Sequence, residues 1–378
     1  MTDNDPESAE PPLRILMTAD AVGGVWQYSA DLAAALVERG TEILVATMGP
    51  RPSAAQKQQI LRIPHVTLAE SEFALEWMPA PWHDIERAGK WLLELASDFS
   101  PSVIHLNGYS HANLPWRKPV IVTAHSCVYS WWRAVHGSSP GQDWAEYKRR
   151  VVAGLAASKL VTAPSTYMAT ALQQEYGVPG KKIHVIHNFS RAVRSARNAK
   201  QPFLLAAGRT WDTAKNFALI KQIAPKLDYV IRIAGPGPRP EGWAATRKSA
   251  RFLGSLSQSQ LLEQMEQASI FLHPALYEPF GLAILEAAWR RCCLVLSDIP
   301  SLRELWANAA VFIDPHNPEQ WAVELNKLMA DRGTREAFSQ RAYSRAKKYR
   351  VDGAVDKYWS LYRSLVRSNR QAKKDAAA

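Results

Sequence analysis

Leu13-Arg14-Ile15-Leu16-Met17, a Gly23-Gly24 turn, the recurrence Val25, Tyr28, Leu32 and Leu36 closed by Gly40, and then Glu42-Ile43-Leu44-Val45-Ala46 form the stretch that decides the fold class. A short apolar run, a glycine turn, an apolar residue every three or four positions and a second apolar run spell strand, helix, strand. The unit has the length that a right-handed parallel crossover needs. Working outward, apolar runs recur at Val103-Ile104, Val120-Ile121-Val122, Leu160-Val161-Thr162 and Ile183-His184-Val185-Ile186, so the first half is expected to be an open parallel α/β sheet.

Between Asn188 and Gln201 the text turns to Ser, Arg, Asn and Lys with almost no large apolar residues, as an exposed connection between two cores would. The pattern then restarts. Phe203-Leu204-Leu205-Ala206-Ala207, Val230-Ile231-Arg232-Ile233-Ala234, Ile270-Phe271-Leu272, Leu294-Val295-Leu296 and Val311-Phe312-Ile313 read as strands with helical patterns between them, which predicts a second parallel α/β domain. Two such sheets facing each other create a cleft at the carboxyl ends of their strands, so function is sought in the loops after strands.

Composition agrees with two domains: 378 residues, 47% hydrophobic and 21% charged, are too long for one ordinary core and too apolar for disorder. Forty-six Lys plus Arg against thirty-five Asp plus Glu leave +11, which admits a nucleotide, an anionic lipid surface or a nucleic acid as an acidic partner. No stripe of cations with interleaved aromatics dominates one face, so nucleic acid is set aside. The three cysteines, Cys127, Cys292 and Cys293, are odd in number and two are sequence neighbours, so no disulfide framework is expected and a reducing compartment fits. The start, Met1 to Pro12, lacks the basic-then-apolar order of a signal, and no uncharged apolar run reaches the roughly 18 residues of a spanning helix. A cytoplasmic protein is expected. The basic helical end, Glu336 to Lys374, carries Tyr358, Leu361, Tyr362 and Leu365 at packing spacing and reads equally as a solvated helix with one apolar stripe or as a peripheral contact with an anionic membrane.

Two segments carry candidate chemistry. Gly208-Arg209-Thr210-Trp211-Asp212-Thr213-Ala214-Lys215-Asn216 follows the first strand of the second domain. The glycine lets the chain turn, Arg can fork two phosphate oxygens and Lys adds a compact charge, which suits a diphosphate or else a plain basic surface loop. Tyr277-Glu278-Pro279-Phe280-Gly281-Leu282-Ala283-Ile284-Leu285-Glu286 follows the Ile270 to His273 strand. On one continuous helix its two Glu would stand about 80° and about 12 Å apart, too far for a close carboxylate pair. Pro279 and Gly281 instead place Glu278 in a loop and start a helix near Gly281, whose free N-H groups suit phosphate while the carboxylates suit sugar or ribose hydroxyls. His105 and His111, in His-Leu-Asn-Gly-Tyr-Ser-His, complete no metal spacing.

Gly23-Gly24-Val25 after the first strand, His125 after Val120-Ile121-Val122-Thr123, the Gly208-Arg209 to Lys215-Asn216 loop and the Glu278 to Glu286 segment with its Pro-Phe-Gly, in this order, give the chain a resemblance to retaining nucleotide-sugar glycosyltransferases of family 4. The resemblance runs from the first strand to about Asp314. It implies the GT-B fold, two Rossmann-like domains facing across a cleft: a start segment at 1–12, an acceptor domain at 13–195, a donor domain at 196–352, and a terminal helix at 353–378 that packs back on the first domain. It implies that Arg209 and Lys215 hold the donor diphosphate, Glu286 the ribose hydroxyls and Glu278 the transferred sugar. The amides of Gly281 and Leu282 would meet phosphate, and Gly23, Gly24 and Gly208 would let backbone approach it. The base would lie near Arg251-Phe252-Leu253-Gly254, with Phe252 in the donor site, and His125 would sit by the anomeric carbon. Trp26, Trp131 and Arg133 are the candidate acceptor contacts, though the aromatics also read as packing residues.

The implied activity is transfer of a hexose from a nucleoside diphosphate sugar to a saccharide or other hydroxyl acceptor, with retention, in glycan or glycoconjugate biosynthesis. No cofactor beyond that co-substrate and no metal is expected, since the one Asp-x-Asp is Asp3-Asn4-Asp5. The chain departs from its relatives at Arg290-Arg291-Cys292-Cys293, where many have Gly-Pro, and at Asp298-Ile299-Pro300-Ser301, where a Gly-Gly is usual. Competing readings are a nucleotide-sugar epimerase on the same fold, which would turn over donor alone, and a non-catalytic nucleotide-sugar binding protein. A nicotinamide oxidoreductase loses because Gly235-Pro236-Gly237 runs on to Pro240 and Gly23-Gly24 lacks the full glycine fingerprint.

Overall fold

The computed structural model describes residues 12–191, 199–237 and 249–375. Residues 1–11 of the start segment with the Asp3-Asn4-Asp5 motif, part of the connection after Asn188, and Pro240 lie outside the described residues.

The first sheet has seven strands, β1 (Arg14–Asp20), β2 (Glu42–Met48), β3 (Val66–Glu70), β4 (Val103–Leu106), β5 (Val120–Thr123), β6 (Leu160–Ala163) and β7 (Ile183–Val185), in the order β3-β2-β1-β4-β5-β6-β7. With them run α1 (Gly24–Val37), α2 (Ala54–Leu61), α3 (Trp82–Phe99), α4 (Val128–His136), α5 (Ala145–Ala157) and α6 (Thr166–Tyr176). The second sheet has six strands, β8 (Gln201–Ala207), β9 (Ile231–Ala234), β10 (Ala250–Gly254), β11 (Ala268–His273), β12 (Cys293–Ser297) and β13 (Val311–Ile313), in the order β10-β9-β8-β11-β12-β13. Its helices are α7 (Phe217–Ile223), α8 (Gln258–Gln267), α9 (Leu282–Trp289), α10 (Pro300–Trp306), α11 (Pro318–Ala330) and α12 (Arg332–Ala346), and α13 (Val351–Asp375) ends the chain. Two parallel α/β sheets are therefore present, as the apolar runs predict. Each has a point where the winding reverses, between β1 and β4 in the first and between β8 and β11 in the second. In open α/β sheets ligands bind beyond the carboxyl ends of such strands.

Side-chain alternation explains why the second sheet is covered on both faces. Phe203, Leu205 and Ala207 of β8 enter one core with α9, while Leu204 and Ala206 enter the other with α7 and α11. Neighbouring Cys292 and Cys293 divide the same way, one into each core. Both thiols are free and buried, and burial pushes Cys293 up to about 12, so they act as small apolar groups. The structure adds β3 and β10, which no apolar run announces. Both are edge strands, and their mixed burial reflects a position with only one neighbour.

Two compact units emerge, one of Met1–Thr123, Ala153–Leu160 and Val355–Ala378, the other of Ala124–Val152 and Val161–Ala354. Thus α13 from Val355 onward belongs with β1 and its neighbours. A buried hydrogen-bonded chain fixes it there. The Tyr362 hydroxyl meets His105 Nδ1 at 2.7 Å, His105 Nε2 meets Thr123 Oγ1 at 2.7 Å, and the Tyr358 hydroxyl meets that of Tyr28 at 2.7 Å. Among the described residues no helix is long and apolar enough to cross a membrane. Tyr362→Phe leaves the His105 ring nitrogen buried without its 2.7 Å partner and is expected to cost about 1–3 kcal/mol. Equilibrium urea unfolding checks this, and an unchanged midpoint would show that the chain adds no net stability.

Candidate active site

The loop after β8 is shaped by backbone constraints before any charge is considered. The Gly208 amide donates to the Ala234 carbonyl at 3.0 Å. Gly235, at φ +154°, passes so close that a Cβ there would lie 1.8 Å from the Gly208 carbonyl oxygen. Only glycine permits that approach. A 3-10 turn over Thr213–Lys215 follows, and Asn216 then adopts the left-handed conformation at φ 53°. Its side-chain amide repays that strain by donating to the Pro274 and Pro315 carbonyls, each at 3.0 Å.

These constraints aim two cations, each held by a carboxylate. Arg209 Nη2 meets Asp212 Oδ2 at 2.5 Å, and Asp212 Oδ1 also accepts from the Ala214 amide at 3.0 Å. Lys215 Nζ donates to Glu278 Oε2 at 2.7 Å, with only 16% and 13% of the two side chains exposed. Glu278 stands after β11, so the pair joins loops from the two strands that flank the winding reversal. His273, the last residue of β11, approaches the same Glu278 oxygen from Nε2 at 3.1 Å. Burial pushes Glu278 up, but the Lys215 charge and the His273 hydrogen bond outweigh it and hold the carboxyl well below the usual range. Burial pulls His273 down against the opposing pull of Glu278, which suits a neutral ring donating from Nε2. The Glu278 carbonyl accepts from Ser301 Oγ at 2.7 Å, fixing the main chain as well.

Gly281, at φ 83°, caps α9 in a left-handed conformation, and Leu282 is the first helical residue. Glu286 lies one turn inside α9, only 3% exposed, accepting from Gln258 Nε2 at 2.6 Å and from Ser190 Oγ at 3.4 Å. Phe252 lies on β10 and packs, partly buried, against the core that contains Ile231 and Ile233.

His125 follows β5 and precedes α4. Burial pushes its imidazole down to about 3. Its segment is tied to both loops described above. Ser126 Oγ donates to the Tyr277 hydroxyl at 3.2 Å, Ser130 Oγ lies 2.7 Å from that hydroxyl, and Trp131 Nε1 donates to Asp212 Oδ1 at 3.3 Å. Trp131 thus reaches the carboxylate that holds Arg209. Arg133 is exposed and turned to Glu175 Oε1 at 2.8 Å. In the other unit Gly23, at φ 115°, precedes α1, where Gly24 is the first helical residue. Trp26 there is 3% exposed, packed with Ala30 and Ile60, and donates to Gln59 Oε1 at 2.9 Å, a packing position that leaves its ring no face for an acceptor. Sequence reasoning overlooked Asp212, His273 and Tyr277. The signal for His273 was present, since a histidine at the carboxyl end of a buried strand is the feature that singled out His125.

A model described as Glycosyltransferase Family 4 matches residues 22–190, and one described as Glycosyl transferases group 1 matches residues 190–345. A glycogen synthase of Mycobacterium tuberculosis is 26% identical over 342 residues, covering 78% of this chain and 80% of that protein. A D-inositol 3-phosphate glycosyltransferase of Xylanimonas cellulosilytica is 23% identical over 402 residues, covering 91% and 92%. Among solved structures, a sucrose-phosphate synthase from Thermosynechococcus elongatus superposes with a TM-score of 0.77 at 15% identity, covering 94% of this chain and 100% of that one. Anabaena HepE in complex with UDP and glucose gives 0.71 at 15% identity, covering 93% and 100%. With one glycosyltransferase model matched on either side of residue 190 and 93% or more of the chain covered by these structures, the chain is a two-domain glycosyltransferase of the GT-B fold.

Proposed function

We propose that this glycosyltransferase moves a hexose from a nucleoside diphosphate sugar to an acceptor hydroxyl with retention of configuration. The observation that carries the reading is the buried Lys215–Glu278 pair beside Arg209 at the winding reversal of the second sheet. The family matches and the UDP and glucose bound by HepE support a nucleotide-sugar donor.

The chemistry follows from charge. As the bond from the anomeric carbon to phosphate oxygen breaks, negative charge grows on the departing diphosphate. Arg209 and Lys215, already oriented by Asp212 and Glu278, stabilise that charge more in the transition state than in the ground state. Glu278, ionised and aimed, accepts from sugar hydroxyls, and Glu286 serves the ribose. His125, uncharged, positions the sugar and does not add a cation next to a developing oxocarbenium ion. The acceptor oxygen bonds to the anomeric carbon on the face that the phosphate leaves, and its proton passes to the leaving phosphate oxygen. Retention then needs no carboxylate nucleophile, unlike the glycosidase pair.

Lys215→Ala should weaken nucleoside diphosphate binding by at least about tenfold and lower kcat/KM by about a hundredfold or more. Titration calorimetry with UDP and donor turnover check this, and wild-type values in the variant would remove Lys215 from the diphosphate site. Glu278→Gln should leave UDP affinity equal or higher, because Lys215 loses its anionic partner, while sugar transfer falls by at least about a hundredfold. Transfer at the wild-type rate would refute the sugar role of Glu278. The His125 ring, held down to about 3 by burial, should stay neutral from pH 8 to pH 5, so its Cε1-H NMR shift should not move. A titration near 6.5 would show a solvated ring.

A further inference from the structure

We infer that the Tyr277 hydroxyl is a positioning group that fixes His125 relative to Glu278, so that the two meet one sugar at a set spacing. The inference rests on the reading of those residues as sugar contacts and adds the residue that joins them. His125 and Glu278 are distant in sequence, yet both belong to the compact unit of Ala124–Val152 and Val161–Ala354. Ser126 directly follows His125, and Tyr277 directly precedes Glu278. Ser126 Oγ donates to the Tyr277 hydroxyl at 3.2 Å. One hydrogen bond therefore joins the chain neighbours of both sugar contacts.

The phenol is itself held in place. Its ring is 4% exposed and packs against Tyr167 of α6, with centroids 6.3 Å apart. Ser130 Oγ lies 2.7 Å from the phenol oxygen and donates to the Cys127 carbonyl at 3.2 Å, while Met168 Sδ of α6 stands 3.7 Å from the same oxygen. The hydrogen bonds thus run in one sense, from Ser126 to Tyr277, from Tyr277 to Ser130, and from Ser130 to the main chain of Cys127, and such a chain strengthens each of its members. Burial pushes the phenol well above its ordinary range, so its proton stays available. Cys127 caps α4 by accepting from the Ser130 amide at 3.4 Å, which carries the tie into the first turn of that helix. Stability alone gives the hydroxyl little reason. Ser126 is exposed and would turn to water, and Ser130 would keep the Cys127 carbonyl, so removing the phenol oxygen strands no buried polar group. Its effect on position can therefore be separated from an effect on folding.

The test follows release of nucleoside diphosphate by the full chain from UDP-glucose, ADP-glucose and GDP-mannose, with water as the acceptor, alongside titration calorimetry with UDP, ADP and GDP. On the probe that the wild type turns over fastest, Tyr277→Phe should lower kcat about tenfold while the matching nucleoside diphosphate binds within about twofold of wild type, because a displaced sugar contact falls on the chemical step and not on the diphosphate grip. Ser126→Ala should lower kcat about threefold or more, and Ser126→Thr, which keeps the hydroxyl, should recover most of that loss. Combining Ser126→Ala with Tyr277→Phe should slow turnover by no more than about twofold beyond Tyr277→Phe alone, since both changes break one bond. The inference is overturned if Tyr277→Phe turns over at the wild-type rate, if the two losses multiply, or if Ser126→Thr is as slow as Ser126→Ala. Glu278→Gln in the same assay separates the two levels. Turnover lost there but kept in Tyr277→Phe refutes the positioning role alone, whereas turnover kept in Glu278→Gln removes the sugar contact beneath it. A wild type that releases nothing from any of the three probes overturns both.

Discussion

The Lys215–Glu278 ion pair is the constraint around which the second sheet's functional end is organised. A pair this buried is costly to desolvate and is tolerated only where further hydrogen bonds satisfy the remaining valences. Here the His273 ring supplies one of them and the Ser301 hydroxyl anchors the adjacent main chain. Holding the ammonium against the carboxylate forces the loop after β8 and the loop after β11 into one register. The strained Asn216, the glycine contact between Gly208 and Gly235 and the left-handed Gly281 are the backbone means by which that register is reached.

The same arrangement governs how strongly the cations can act. A bare lysine and arginine in a loop would sample many orientations, and ordering them on binding would cost about 1 kcal/mol or more for each side chain. Pairing with Asp212 and Glu278 removes that cost at the expense of some positive potential. Because Trp131 donates to Asp212, and Ser126 and Ser130 reach the hydroxyl of Tyr277, the residue before Glu278, the segment carrying His125 is referenced to both loops. A displacement of α4 would therefore disturb the Asp212 carboxylate that holds Arg209.

Much of this was legible in the amino-acid order, and what was not has physical causes. Central strands such as β8, β11 and β12 are buried on both faces, so they write themselves as unbroken apolar runs. Edge strands β3 and β10 pack against a single neighbour, mix polar with apolar residues and leave no such run. The loop glycines, Arg209, Lys215 and Glu278 could be placed after strands because a loop residue's address depends only on where a strand ends. Asp212 could not be assigned, because its role is set by the turn of its own loop and by Trp131, distant in sequence, whereas His273 carried a signal in its place at a strand end. Trp26 shows the converse failure, since a tryptophan beside a glycine turn reads alike whether its ring faces solvent or, as here, lies against Ala30 and Ile60.

The two sheets repeat one winding scheme yet place different side chains at its reversal. After β8 stand Arg209 and Lys215, held by Asp212 of the same loop and by Glu278 after β11. Beyond β1 and β4 stand Asp20 and Glu76 with no lysine or arginine among the residues that line the recess there. Winding alone would offer either place to the same ligands, because in both the strand ends supply main-chain donors and a concave surface. Side-chain identity breaks that equivalence: Arg209 and Lys215 stand at one reversal, while Asp20, Glu76 and His111 line the recess at the other.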